Sequence, residues 1–305
     1  MAAFVPGSVA RPRLEGSVAV RGGRRLSFAT FGSPYGDPVV WMHGTPGARR
    51  QIPLEARAFA DANNLRIVGI DRPGIGSSTS HQYADLLDWT SDLECVADIL
   101  GLPTLRVIGL SGGGPYALAA GAGLADRVTS VAVIGGVAPT VGPDGIGGGP
   151  MGLASTLRPL LSAGRVPLGM TLYQLIRLLR PVAGPAIDLY ATLSPVGDRD
   201  LLRRPEFRAM FLDDLLHGSR RQLSAPLLDL LLFTKDWGFR LEDVKVPVFW
   251  WHGDADHIVP FAHGEHAASR LPNATFHTME GESHLGGLGQ AEQILRTLQA
   301  SALPA

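Results

Sequence analysis

Several absences bound what this chain can be. Its 305 residues include a single cysteine, Cys95, so no internal disulfide staples it. Cys95 falls within an amphipathic helical pattern and reads as plain core. Charged residues make up 18% of the chain and the formal net charge is −1. That balance gives no charge asymmetry to draw nucleic acid or an anionic membrane. No uninterrupted apolar run reaches the roughly 18 residues a membrane span needs, so no integral membrane segment is expected. Met1–Glu15 holds Pro6, Gly7, Pro12 and scattered arginines but no apolar core of signal-peptide length. The histidines show no metal-binding spacing such as H-E-x-x-H. His263 and His266 stand three apart with no further ligand nearby, so no metal is expected. A soluble cytoplasmic protein follows as the expectation.

What is present is a strand–helix rhythm in a chain long enough for a large core. Ser17–Val20 and Leu26–Phe31 read as two strands joined near Gly22-Gly23. Pro38–Met42, Arg66–Ile70, Arg106–Leu110 and Val128–Ile134 follow as short apolar strands. Helices over Ile52–Asn63 and around Trp89–Leu100 alternate with them, and Ser91 with Glu94 resembles a capping box. Strands apolar on both faces argue for a mainly parallel sheet covered by helices. The rhythm breaks near Val137. A glycine- and proline-rich stretch, Pro139–Pro150, leads into about 100 residues with only helical patterns. In Leu168–Arg180 the polar positions Thr171, Gln174, Arg177 and Arg180 recur every third residue, and Leu227–Phe233 is more apolar still. These read chiefly as ordinary buried helices. As a block, though, they have the look of a lid inserted over a site. Strand and helix resume at Val246–Trp251, Phe261–Leu271, Ala274–Met279 and a last helix to Ala300. The expected division is a core of residues 1–138 and 241–305 with a helical insertion at 139–240.

The chemistry gathers at Val107–Pro115. A strand ending at Leu110 and a helix opening at Tyr116 put Ser111 on the turn between them, inside Gly109-x-Ser111-x-Gly113. Such a turn lifts one side chain clear of the sheet and leaves no room for side chains two residues to either side. Pro115 suits the first helical turn, where an N–H would lack a partner. The plainer alternative is a glycine-rich loop with a serine cap. In an open parallel sheet ligands bind at the carboxyl ends of strands. Five polar or glycine-rich loops fall there: 43–47, 71–78, 109–113, 253–260 and 281–287. They carry, in order, an exposed serine, then an acid, then a histidine.

With these residues in that order, the sequence resembles the lidded α/β-hydrolases over nearly its whole length, from about Ser17 to Ala300. His43-Gly44-Thr45-Pro46-Gly47 with Asp71-Arg72-Pro73-Gly74-Ile75-Gly76-Ser77 is similar to a branch of bacterial esterase-like enzymes. It resembles proline iminopeptidases less closely, since they carry a second glycine where this chain has Thr45. The resemblance implies an α/β fold, a serine nucleophile at Ser111 and a base at His284, the one histidine of nine in a glycine-rich loop after the last strand. A serine hydroxyl needs such a base within hydrogen-bond reach. Asp254 and Asp256 both lie in the preceding loop. The family pattern sets the acid four residues before a proline, which is Asp256, with Asp254 the alternative as a loop-capping carboxylate. An oxyanion hole needs two backbone N–H groups. Gly112 supplies one, and because Pro46 has none, Thr45 supplies the other, with its side chain narrowing the pocket or meeting substrate. His43, Gly44, Gly109, Gly113 and Asp71 are read as support, Asp71 holding neighbouring amides or simply sitting in a polar turn.

The implied activity is serine-dependent cleavage of a carboxylic ester, a small-molecule substrate with an apolar acyl or alcohol group, with no cofactor. Serine at the turn argues against the carboxylate-nucleophile chemistries of this fold. Three alternatives stand beside it. An aminopeptidase or amidase would use Glu206, Asp213 or Asp214 on an ammonium group, though those acids read more simply as a solvated helix face. A carbon–carbon bond hydrolase would use Arg177 or Arg180 as a carboxylate clamp. A non-catalytic receptor would keep the fold alone. No nucleic-acid partner is expected, and a homodimer is left open.

Overall fold

The computed structural model describes residues 11–219 and 224–301, apart from the side chains of Leu172 and Arg180. The Met1–Glu15 segment expected to lack a signal core therefore lies mostly outside the described residues. Eight strands form one sheet: β1 (Leu14–Val20), β2 (Arg24–Gly32), β3 (Asp37–Met42), β4 (Leu65–Ile70), β5 (Leu105–Leu110), β6 (Val128–Ile134), β7 (Val248–Gly253) and β8 (Ala274–Met279). Their spatial order is β1-β2-β4-β3-β5-β6-β7-β8. The pairings β1 with β2 and β2 with β4 are antiparallel, and the rest are parallel. The helices are α1 (Leu54–Ala62), α2 (Trp89–Leu100), α3 (Gly114–Gly123), α4 (Gly149–Ala163), α5 (Arg165–Leu179), α6 (Ala183–Leu193), α7 (Val196–Arg203), α8 (Pro205–Gly218), α9 (Ala225–Phe233), α10 (Phe261–Ala268) and α11 (Ala291–Ser301).

The two-sided apolar strands explain the layering. Successive side chains of a strand point to opposite faces. In β3, Val39 and Trp41 enter one core layer and Val40 and Met42 the other. Leu93 and Val96 of α2, Tyr116 and Leu118 of α3, and Ala267 of α10 pack with Val40 and Met42. Phe59 of α1 with Ile294 and Leu298 of α11 pack with Val39 and Trp41. Six helices, α4 to α9, lie between β6 and β7, where the strand rhythm breaks.

Three sequence expectations need correction. Helix α2 begins at Trp89, and its cap residue Asp88 makes no side-chain cap hydrogen bond, so Ser91 and Glu94 are not a capping box. Trp89 is fully buried, and seating it starts the helix two residues before the serine. The helices between β6 and β7 are not ordinary buried helices throughout. Leu168, Leu175, Leu178 and Leu179 of α5 are exposed, while Leu231, Leu232 and Phe233 of α9 are buried. Cys95 is half-buried at the edge of the core, not within it.

The turn after β5 is packed without slack. A Cβ on Gly113 would stand 2.3 Å from the Met42 carbonyl oxygen, and one on Gly109 would stand 2.5 Å from the Gly113 carbonyl oxygen. Gly113→Ala is therefore expected to lower the unfolding free energy by about 1–3 kcal/mol through overpacking, read as a lower urea midpoint. An unchanged midpoint would mean that the β3–β5 backbones separate freely.

Candidate functional site

Ser111 follows β5 directly and adopts φ 50°, in the left-handed region. An L-residue pays for that backbone, and such strain persists only where the surroundings enforce it. Here the enforcement comes from the close glycine contacts just described. The next residue, Gly112, opens toward the N-terminus of α3, where unpaired N–H groups and the helix dipole favour negative charge.

His284 reaches Ser111 from the loop after β8. Its Nε2 lies 2.9 Å from Ser111 Oγ, and its Nδ1 lies 2.7 Å from Asp256 Oδ2. The other Asp256 oxygen accepts the Ile258 and Val259 amides at 2.8 and 2.9 Å. Asp254, the alternative acid, is exposed, and its carboxylate accepts the Gly281 amide at 2.8 Å across the two loops. It is Asp256 that meets the imidazole.

A second imidazole also stands on Asp256, and sequence reasoning passed it over. Trp250 Nε1–H donates to His252 Nδ1 at 3.2 Å, which leaves His252 Nε2 as the protonated nitrogen. That nitrogen is 2.9 Å from the Val259 carbonyl oxygen and 3.3 Å from Asp256 Oδ2. Burial pushes the Asp256 carboxyl up, but hydrogen bonds from His252, His284 and the Val259 amide outweigh it and hold the group well below the ordinary carboxylate range. Asp256 is thus an anion at any working pH.

The loop after β3 faces the same turn. A Cβ on Gly112 would lie 2.3 Å from Thr45 Oγ1, so Thr45 and Gly112 are neighbours. The Thr45 hydroxyl is already committed to partners within the protein, however. It accepts from Arg72 at 2.7 Å and donates to Asp229 of α9 at 2.8 Å. Arg72 also donates to the carbonyls of His43 and Gly44 and pairs with Asp229 at 2.8 Å, while Tyr116 donates to the other Asp229 oxygen at 2.7 Å. Arg72, Asp229 and Tyr116 are all buried. Asp229 is the one charge in the greasy run Leu227–Phe233, and that was its signal. His43 is a neutral support: burial, then the Arg72 charge, drops it well below its usual value. Its Nδ1 bonds the Gly44 carbonyl oxygen at 2.8 Å. The Gly44 amide is held by Gln51 Oε1 at 2.7 Å. Asp71 accepts one backbone amide, Arg49 at 2.7 Å, and pairs with the Arg49 guanidinium.

Beside this loop lies an apolar cavity of about 160 Å³ between Pro46, Gly47, Tyr190, Leu202, Phe211 and Leu285. Asp214 lines it and departs from the solvated helix face expected of it: the residue is buried. One carboxyl oxygen accepts the Ala48 amide at 2.8 Å, and the other has no hydrogen-bond partner among the described residues. Burial first, then the nearby charge of Asp71, pushes Asp214 well above the ordinary value. Glu206 pairs with Arg204 and Asp213 with Arg50. Arg177 is exposed, and the Arg180 side chain lies outside the described residues.

A family model described as alpha/beta hydrolase fold matches residues 37–289. Proline iminopeptidase of Xanthomonas citri is 39% identical over 113 residues, which is 35% of this chain and 35% of that protein. The matching segment thus spans about a third of the length of that curated relative. A 2-hydroxy-6-oxononadienedioate/2-hydroxy-6-oxononatrienedioate hydrolase of Paraburkholderia phymatum is 27% identical over 274 residues, 86% of this chain and 85% of that one. Among solved structures, a bromoperoxidase from Bacillus anthracis superposes with TM-score 0.67 at 22% identity, covering 94% of this chain and 99% of that one. A thermophilic esterase from Thermogutta terrifontis gives 0.64 at 20%, covering 94% and 96%. At these identities the structural likeness speaks to fold alone.

The Asp214 environment has a measurable signature. A carboxyl whose folded value exceeds its unfolded value stabilises the fold while protonated, and that contribution is lost as pH rises. Wild-type thermal stability should fall as pH climbs from the ordinary value, 3.8, through the raised Asp214 value. Asp214→Asn, similar in shape and never ionised, should lack that part of the decline. Identical pH slopes for the two proteins would show that Asp214 titrates alike in the folded and unfolded chain.

Proposed function

The chain belongs to the alpha/beta hydrolase fold family, and from that premise we propose that it is a serine hydrolase cleaving carboxylic esters with an apolar acyl or alcohol group. The observation that carries the reading is the continuous hydrogen-bonded chain from Ser111 Oγ through His284 to Asp256, at 2.9 and 2.7 Å. In this reading His284 Nε2 takes the Ser111 proton as Oγ attacks the ester carbonyl carbon. The anion of the tetrahedral intermediate is met by the amides of Gly112 and Thr45, fixed in advance by the packing of their two loops. His284 then gives its proton to the departing alcohol. Water, deprotonated by the same nitrogen, attacks the acyl-serine and releases the acid. Asp256, kept ionised by its donors, holds the imidazole tautomer and stabilises the imidazolium.

Helices α4–α9 act in this reading as the lid, with residues 139–240 as the insertion on the hydrolase core. The cavity at Pro46, Tyr190 and Leu285 takes the apolar group, each buried methylene contributing about 0.8 kcal/mol. The buried Asp214 argues against the ammonium-binding alternative. Burial pushes its carboxyl well above the ordinary value, which disfavours the charge an amine would need, and one of its oxygens is already taken by the Ala48 amide. The iminopeptidase likeness nonetheless makes the proline amide the proper comparison substrate.

Turnover of p-nitrophenyl acetate, butyrate and octanoate should exceed that of proline p-nitroanilide. Ser111→Ala should lose about 10⁴- to 10⁶-fold in kcat, and a fluorophosphonate should label Ser111 alone. Faster turnover of the anilide would replace the ester reading with an aminopeptidase. An unlabelled Ser111 would make the chain a non-catalytic relative.

A further inference from the structure

The outer face of the helical segment combines two properties that overall composition hides. The first is exposed apolar surface. Leu153, Leu157 and Leu160 of α4 recur at spacings of four and three, which sets them on one stripe of the helix. They turn away from Met151 and Ala154, which are buried on its inner side. In α5, Tyr173 and Ile176 pack inward on the small cluster at Ile75 and Ala225. Val166, Met170 and Leu178 are exposed by 63%, 63% and 76%, Val166 and Met170 along a groove shared with Leu227 and Leu228 of α9. A single surface leucine needs no explanation, but exposed apolar side chains gathered on two consecutive helices mark an interaction surface.

The second property is charge of one sign. Residues 145–187 contain Arg158, Arg165, Arg177 and Arg180 and no aspartate, glutamate or lysine. Arg158, Arg165 and Arg177 are exposed on the same two helices, Arg165 with one donor on Gln82. The near-zero net charge of the whole chain therefore conceals a cationic, apolar patch.

We propose that this face of α4 and α5 docks on an anionic lipid surface. The leucines and methionine enter the headgroup–acyl boundary, and the arginines lie against lipid phosphates. No helix of the described residues is long and apolar enough to cross a membrane, so the protein would lie on the bilayer and not span it. Charge decides between this occupant and a second copy of the chain. A two-fold interface pairs the same patch with itself, which would bring cationic stripes together with no carboxylate between them. An anionic bilayer supplies the missing counter-charge. The proposal rests on the surface alone and holds whether or not Ser111 is a nucleophile.

Flotation of the full chain with phosphatidylcholine vesicles, with and without phosphatidylglycerol, tests it. Binding should require phosphatidylglycerol and fall steeply with added salt. Each surface arginine contributes about fivefold in partitioning. The triple variant Arg158→Gln, Arg165→Gln, Arg177→Gln should therefore lose about a hundredfold at low salt. Leu157→Ser, Leu160→Ser, Leu178→Ser should weaken the salt-resistant part instead. Wild-type protein that floats equally with neutral and anionic vesicles, or with neither, overturns the proposal without recourse to any variant. Concentration-dependent dimers that dissociate in the leucine variant, with no vesicle binding, would assign the face to a second copy.

Discussion

The buried pair of Arg72 and Asp229 is the contact on which the arrangement of this site depends. A charge taken out of water is tolerated only when its partners are complete. Arg72 meets that demand with the carbonyls of His43 and Gly44, the Thr45 hydroxyl and the Asp229 carboxylate. Those acceptors belong to two parts of the chain that share no secondary structure: the loop after β3 and helix α9. Satisfying one guanidinium therefore fixes the backbone that faces Gly112 and seats the end of the helical segment against it. Tyr116 closes the arrangement from α3, with its hydroxyl on Asp229 and its ring 5.0 Å from the Arg72 carbon. One polar knot thus joins the loops after β3 and β4, helix α3 and helix α9.

The second polar centre follows the same logic with opposite charge. Asp256 sits among donors from two imidazoles and two amides, and its anion is stabilised without a cationic side chain. The arrangement leaves the negative charge free to act on His284 and not to be neutralised by an arginine. It also accounts for Trp250-Trp251-His252 near the end of β7. Trp250 fixes the His252 ring, and Trp251 turns to the opposite core layer and stacks on His277 at 4.5 Å.

Much of this was legible because it is local. Strand polarity, the glycines around Ser111 and the loop positions of Asp256 and His284 follow from patterns a few residues long. The polar knot was not legible, since Arg72 and Asp229 are 157 residues apart and nothing in either neighbourhood names the other. Asp229 is the lone charge in an apolar run, but that alone does not name its partner. Asp214 misled for a related reason: a carboxylate beside Asp213 on a helix looks solvated until α8 is seen turned toward Ala48. The exposed leucines of α5 misled in the other direction. Periodicity tells which residues share a face, but not whether that face has anything to cover it. Composition averaged over the whole chain likewise hid a cationic stretch that Asp144 and Asp188 bracket from outside.

The Thr45 hydroxyl has a mechanical meaning for the helical segment. Lifting α9 from the sheet would strip Arg72 of its countercharge and the hydroxyl of its acceptor at once, leaving buried donors with nothing to bind. Helix α9 is therefore tied to the loop after β3 by contacts that none of its neighbours could replace.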